Sequence, residues 1–246
     1  MAHRLDDATS SHGKVKYRMA FSGFSDDTLG FLAELSRNNE RAWFEAHKDE
    51  CERWVIEPAK ALVVALGARL HELDPKLQAI PRLRGSIKAL EQRARFPNSK
   101  RPPYKDSLDL WFWSGRRRPW DNSGFYLRLE PTRLILAGGM IEFQKEALAR
   151  YREAVLDDER GAALSDIVRN LRTHGYVVAG EGYKRTPPGV PAEHPQAELL
   201  KHRGLFTTLD REHPPELRTP ALVDFCFEHF ARMAKLHAWL LEARGA

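Results

Sequence analysis

Only two cysteines, Cys51 and Cys226, occur in the 246 residues, and they lie far apart in segments with helical periodicity. That count argues against a disulfide framework or a cysteine metal site, so both read as buried thiols. No apolar run reaches the roughly 18 residues that a membrane span needs, so no membrane partner is expected. The N-terminal twenty residues lack an apolar core and a cleavage-site pattern, so no secretion signal is read there and a cytoplasmic location is expected. The ten histidines show no metal-ligand spacing, the serines have no nucleophile-elbow context, and AGGM (137–140) is followed by no Gly-Lys-Ser/Thr. Zinc and dinucleotide chemistry are therefore unsupported, and no cofactor or metal is expected.

What the chain does have is charge in one place. Residues 82–118 contain eleven Lys or Arg against the three acids Glu91, Asp106 and Asp109, a balance of +8. The rest of the chain carries 28 basic and 31 acidic residues, a balance of −3. Basicity concentrated in this way favours a localised anionic partner over general adhesion.

Hydrophobic patterning organises the remainder. Residues 1–20 are polar and aperiodic and read as a mobile tail, ahead of one domain over 21–246. Ser25 is a plausible N-cap for a helix carrying Leu29, Leu32 and Leu35, and SRNNER breaks it. Asn38 or Asn39 is expected to cap the next helix, with ligand contact as the alternative. That helix carries Trp43, Phe44, His47, Cys51 and Trp54, and Pro58 opens a third. FYLRL (125–129) and RLILA (133–137) alternate at period two around a short turn, which predicts a hairpin closed by AGG. LDLWFW predicts a strand pairing nearby. Helical patterns resume at Leu148–Val155 and at Leu164–Leu171, where Gly175 supplies a C-cap. Gly180–Pro215 reads as loop-rich, and a long helix follows Thr219–Pro220. The expectation is an α+β domain, with helices on both sides of a small, mainly antiparallel sheet and a long C-terminal helix.

Three groups of residues suggest chemistry. In the basic segment, Arg93, Arg95, Lys100 and Lys105 can hold a phosphate, sulfate or carboxylate, and the prolines at 102–103 stiffen the approach to Tyr104. Tyr104 would orient the anion or donate a proton. Trp111 and Trp113 share one face of their strand, with Phe112 opposite, so one set is expected in the core and the other is available for stacking. The opposing reading is a solvated basic face beside ordinary core aromatics. A second basic loop, YKRTPP (183–188), presents Lys184 and Arg185, either completing a cation-lined cleft or standing alone. His194, before Pro195, is a weak candidate for acid–base work.

Taken in order, LGFLAELSRNNERAWFEAHKDECERWVIEPA, the Arg95-Phe96…Pro103-Tyr104-Lys105 run, FYLRLEPTRLILAGGM and YKRTPPGVPAEHPQAELLKHRGLF resemble domain-of-unknown-function family 2461. The likeness covers about Phe21 to the C-terminus and marks a divergent member. The family's Arg-Asp pair before its Arg-Phe is absent from EQRARF, and RPPYK is one residue longer. The resemblance implies architecture and candidate sites but no reaction. The functional expectation is a basic cleft for an anionic small molecule, which the protein binds or acts on. The alternatives are a nucleic-acid-binding module and a subunit of a protein complex, with Trp113 or Trp120 beside Arg116, Arg117 and Arg118 at the interface.

Overall fold

The computed structural model describes residues 20–92, 102–115 and 121–245. The expected tail up to residue 19, Arg93, Arg95, Lys100, Arg116–Arg118 and Trp120 lie outside the described residues.

Helix α1 (Asp26–Arg37) begins where Ser25 accepts a hydrogen bond from the Thr28 amide, with Asp26 and Asp27 in the first turn. A carboxylate there is favoured by the exposed amides and the helix dipole. Phe31, Leu32 and Leu35 bury one face. Asn38 closes the helix, its Nδ2 donating to the Glu34 carbonyl. The expected asparagine N-cap is replaced by Glu40, which starts α2 (Arg41–Ala46) without a side-chain cap. Asn39 is used over long range instead. Its amide donates to the Tyr104 carbonyl and accepts from the Tyr104 N–H, both at 2.9 Å. After α3 (Lys48–Cys51), a π-turn over Glu52–Ile56 leads into α4 (Glu57–Leu70), with Pro58 in its first turn.

Six antiparallel strands form the sheet, in the order β1 (Leu77–Gln78), β2 (Leu108–Ser114), β3 (Gly124–Leu129), β4 (Arg133–Met140), β6 (His202–Glu212), β5 (Val177–Glu181). The predicted hairpin is β3–β4, closed by Glu130 N–H to the Arg133 carbonyl. β4 does not stop at its glycines. Gly138 and Gly139 lie within it because the backbone is approached closely: a Cβ on Gly138 would sit 2.8 Å from Met233 Cβ, and one on Gly139 2.5 Å from the Leu205 carbonyl. The stretch expected to be loop holds the eleven-residue β6, which pairs with β4 from Arg133↔Glu212 to Met140↔Leu205.

Alternation along the strands separates two faces. Leu110, Phe112, Phe125, Leu127, Leu134 and Leu136 point into the core. There α8 (Leu222–Arg244) crosses the sheet, with Phe230 against Phe125 at 5.1 Å between ring centroids. Helices α5 (Lys145–Leu156) and α6 (Asp158–Thr173) pack on α8, as α4 does, and α4, α6 and α8 make the main helix contacts with the sheet. Elements that touch both the sheet and one another lie on one side of it. Among the described residues, α4, α6 and α8 therefore share a single face, where the pattern suggested helices on both. The fold is α+β, with a long C-terminal helix. A short helix α7 (Ala197–Leu200) precedes β6. Cys51 and Cys226 are free, buried thiols. No helix among the described residues is long and apolar enough to cross a membrane.

Candidate functional site

The second face of the sheet gathers charged and aromatic side chains. Register places Asp109 opposite Arg128, Trp111 opposite Tyr126 and Trp113 opposite Gly124, then Tyr126 opposite Ala137 and Gly124 opposite Gly139. Small residues in the middle and aromatics around them leave a shallow hollow of about 140 Å³, lined by Trp111, Tyr126, Ile135, Ala137, Ile141 and Phe206 among others. Beyond β1, the chain at 86–88 continues the sheet edge: Trp111 N–H donates to the Ser86 carbonyl and Lys88 N–H to the Asp109 carbonyl. Ile87 opposite Leu110 faces the core, so Lys88 faces the hollow side.

Two cations pair with one buried carboxylate here, and a third, Lys88, lies over the neighbouring aromatic rings. Asp109 is 2 % exposed and accepts from Lys105 Nζ at 2.8 Å on one oxygen and from Arg128 Nε at 2.9 Å on the other. Burial alone would raise the Asp109 pKa, but Lys105 and Arg128 outweigh it and hold the carboxyl below its usual range. Arg128 Nε also reaches the Tyr126 hydroxyl at 3.0 Å, and its Nη1 lies 3.8 Å from Glu130. Burial and the Asp109 charge push the Tyr126 phenol up, so it stays protonated. Lys88 has neither a hydrogen bond from Nζ nor an ion pair among the described residues. Its Nζ lies 4.3 Å from the Trp111 ring centroid and 5.2 Å from that of Tyr126. Burial lowers the Lys88 pKa; Asp109 opposes this, while Lys105 and Arg128 add to it. A cation over two ring faces is attracted by their quadrupoles but keeps its hydrogen-bond donors free.

The sequence profile of the DUF2461 family, described as a conserved hypothetical protein, matches residues 27–239. The chain belongs to the DUF2461 family. No curated protein matches it. The DUF2461 motif residues separate in space. Tyr104 turns into the core, its ring stacked on Phe44 at 4.0 Å, whereas Lys105 turns to Asp109. Tyr104 thus acts in packing and through its backbone, away from the cation cluster that its neighbour joins. Gln92 N–H donates to the Pro103 carbonyl and Lys105 N–H to that of Leu90, so residues 90–92 and 103–105 run side by side.

Trp111 and Trp113 share the hollow's face, as their parity predicts, and both are buried. Trp113 is therefore not the exposed hot spot that an interface reading requires. Its Nε1 is buried without a hydrogen-bond partner among the described residues. Lys184 and Arg185 are exposed and follow β5, at the opposite edge of the sheet from β2. Strand spacing separates those edges by roughly 19 Å. No hydrogen bond or ion pair among the described residues joins Lys184 or Arg185 to the cluster. His194 Nδ1 accepts from the Gln196 amide and serves the local turn. Sequence reasoning missed Lys88, Asp109, Tyr126 and Arg128 as site residues. One signal was available: Asp109 has the parity of Trp111 and Trp113 within an apolar strand, and a buried carboxylate there demands cationic partners.

A second polar cluster lies on the core side. Ser123 Oγ is 2.8 Å from His237 Nδ1, and His237 Nε2 is 3.3 Å from Asp74 Oδ2. Ser123 is 2 % exposed and His237 stacks near Phe125, so the hydroxyl is sealed in and no substrate carbon can approach it. The row is a buried brace joining α8 to the sheet. Hydrogen bonds from His237 chiefly, and from Ser114 and the Lys76 amide, hold the Asp74 carboxyl at about 2 despite burial. Among the described residues no group of three or more His, Cys, Asp or Glu forms a metal-binding cluster.

Proposed function

We propose that this protein binds a small anionic molecule on the open face of its sheet, with the anion at Lys88, Lys105 and Arg128 and an apolar portion across Trp111 and Tyr126. One observation carries the reading. Lys105 and Arg128 pair with a single buried carboxylate, Asp109, and a third cation, Lys88, keeps its ammonium over aromatic rings on the same face with no ion pair among the described residues. Like charges held together are costly, and a bound carboxylate, phosphate or sulfate relieves that cost. Lys105 and Arg128 also retain N–H groups beyond those given to Asp109, so all three can contribute. Arg93, Arg95 and Lys100, which lie outside the described residues, are included in the proposed anion-binding surface for their charge and their nearness in sequence to Lys105.

A thermal-shift screen over sugar phosphates, nucleotides, sulfates, aromatic carboxylates and oligonucleotides tests this. A ligand at 100 times its Kd stabilises the fold by roughly 2.7 kcal/mol. Lys88→Gln should weaken the best small anion at least tenfold, the loss expected for one charged hydrogen bond. Stabilisation by oligonucleotides alone, falling steeply with salt, would assign the face to nucleic acid instead.

A further inference from the structure

Lys88 meets the requirements of a lysine that forms bonds as well as one that attracts charge. An amine attacks a carbonyl only through its neutral form, and only if no ion pair holds it. Lysines gain that form by desolvation in an apolar pocket or beside another cation, and Lys88 has both. The Trp111 and Tyr126 rings shield its side chain from water although their faces favour the ammonium, no ion pair holds it among the described residues, and Lys105 and Arg128 lie on the same face of the sheet. Its pKa is lowered in the corresponding direction, chiefly by burial, with Asp109 opposing the shift and Lys105 and Arg128 adding to it. Lys105 and Arg128 retain N–H groups able to hold a second group on the same ligand.

We infer that Lys88 is an imine-forming nucleophile for a small carbonyl compound that also bears a carboxylate, a 2-oxo acid with an apolar tail. This rests on the anion-binding reading above. The Lys88 Nζ lone pair forms a bond to the carbonyl carbon as the C=O π pair moves to oxygen. Proton transfer from nitrogen to that oxygen gives a carbinolamine. Loss of the oxygen as water, taking the second amine proton, leaves the C=N bond. Neither an oxidant nor a reductant is consumed. Arg128 and Lys105 hold the carboxylate, and the hollow bounded by Trp111, Tyr126 and Phe206 takes the tail.

Two probes separate this inference from the reading beneath it. Phenylacetate has the carboxylate and ring but no ketone; phenylpyruvate has all three. The full chain is incubated with phenylpyruvate, reduced with borohydride and mapped by peptide mass spectrometry. The expected result is a reduced adduct at least tenfold more abundant on Lys88 than on any other lysine, blocked by excess phenylacetate and absent from Lys88→Arg. If phenylacetate binds but the adduct is absent, spread evenly over lysines or unprotected, the imine proposal is overturned while anion binding stands. If phenylacetate does not bind and no adduct forms, both are overturned.

Discussion

Asp109 and Arg128 face each other across β2 and β3, with carboxylate and guanidinium 2.9 Å apart. The carboxylate is buried while the guanidinium remains about one-third exposed, so the pair is inseparable from the strand register that creates it. Replacing Asp109 by Asn leaves Lys105 and Arg128 without the carboxylate they share. Loss of one partner from a buried pair costs roughly 3–5 kcal/mol, and the partial exposure of Arg128 and Lys105 moderates this. Asp109→Asn should therefore lower stability by about 2–4 kcal/mol in urea denaturation. A loss below about 0.5 kcal/mol would show that the cluster relaxes freely into solvent.

Stability should also fall on the acid side. The carboxyls of Asp74 and Asp109 are held below the ordinary range, Asp74 at about 2. A lowered carboxyl pKa contributes stability that is present above the unfolded value near 4 and lost as pH drops through the folded one. Thermal unfolding from pH 6 to pH 2 should show a decline concentrated below about pH 4. Asp74→Asn should flatten it. A variant with the same acid slope as the parent would remove Asp74 from this account.

Two glycines should respond with opposite signs. Gly139 has φ +125 and packs against the Leu205 carbonyl, so Gly139→Ala meets both strain and overlap and should cost roughly 3 kcal/mol or more. Gly30, inside α1, would place a Cβ in open space, and Gly30→Ala should stabilise by about 0.5–1 kcal/mol. Denaturant midpoints compare the two directly.

Neither thiol should react in the native state. Burial pushes Cys51 up to about 12 and Cys226 higher still, so almost no thiolate exists at neutral pH. A thiol-exchange reagent at pH 8 should label neither cysteine until denaturant is added, and then both. Prompt labelling of either in native protein would contradict its placement.

What the sequence revealed was local. Ser25 capping α1, the β3–β4 hairpin with its short turn, and the apolar stripe of α8 are each encoded within a few residues of themselves. β6 was missed because its alternation mixes Leu205, Thr207 and Leu209 with Phe206 and Thr208, so its two faces differ little in polarity. Its identity as a strand comes from β4 and β5 on either side, which no window of sequence contains. The site divided in the same way. The shared face of Trp111 and Trp113 was legible, but Arg128 reaches Asp109 from 19 residues away through strand register. Lys88 arrives through the edge pairing at 86–88. Strand and edge pairing place Lys88, Lys105 and Arg128 on this face of the sheet.

The most direct measurement is a titration of uniformly ¹⁵N-labelled protein with phenylacetate, read at the tryptophan indole N–H signals. Trp111 and Trp113 lie on the proposed binding face, whereas Trp43, Trp54 and Trp239 belong to helices. The account predicts saturable shifts of the Trp111 and Trp113 signals, little change at the helical three, and at least tenfold weaker binding of the uncharged 2-phenylethanol. Equal shifts at all these tryptophans, or equal affinity for the neutral compound, would contradict an anion site built on Lys88, Lys105 and Arg128.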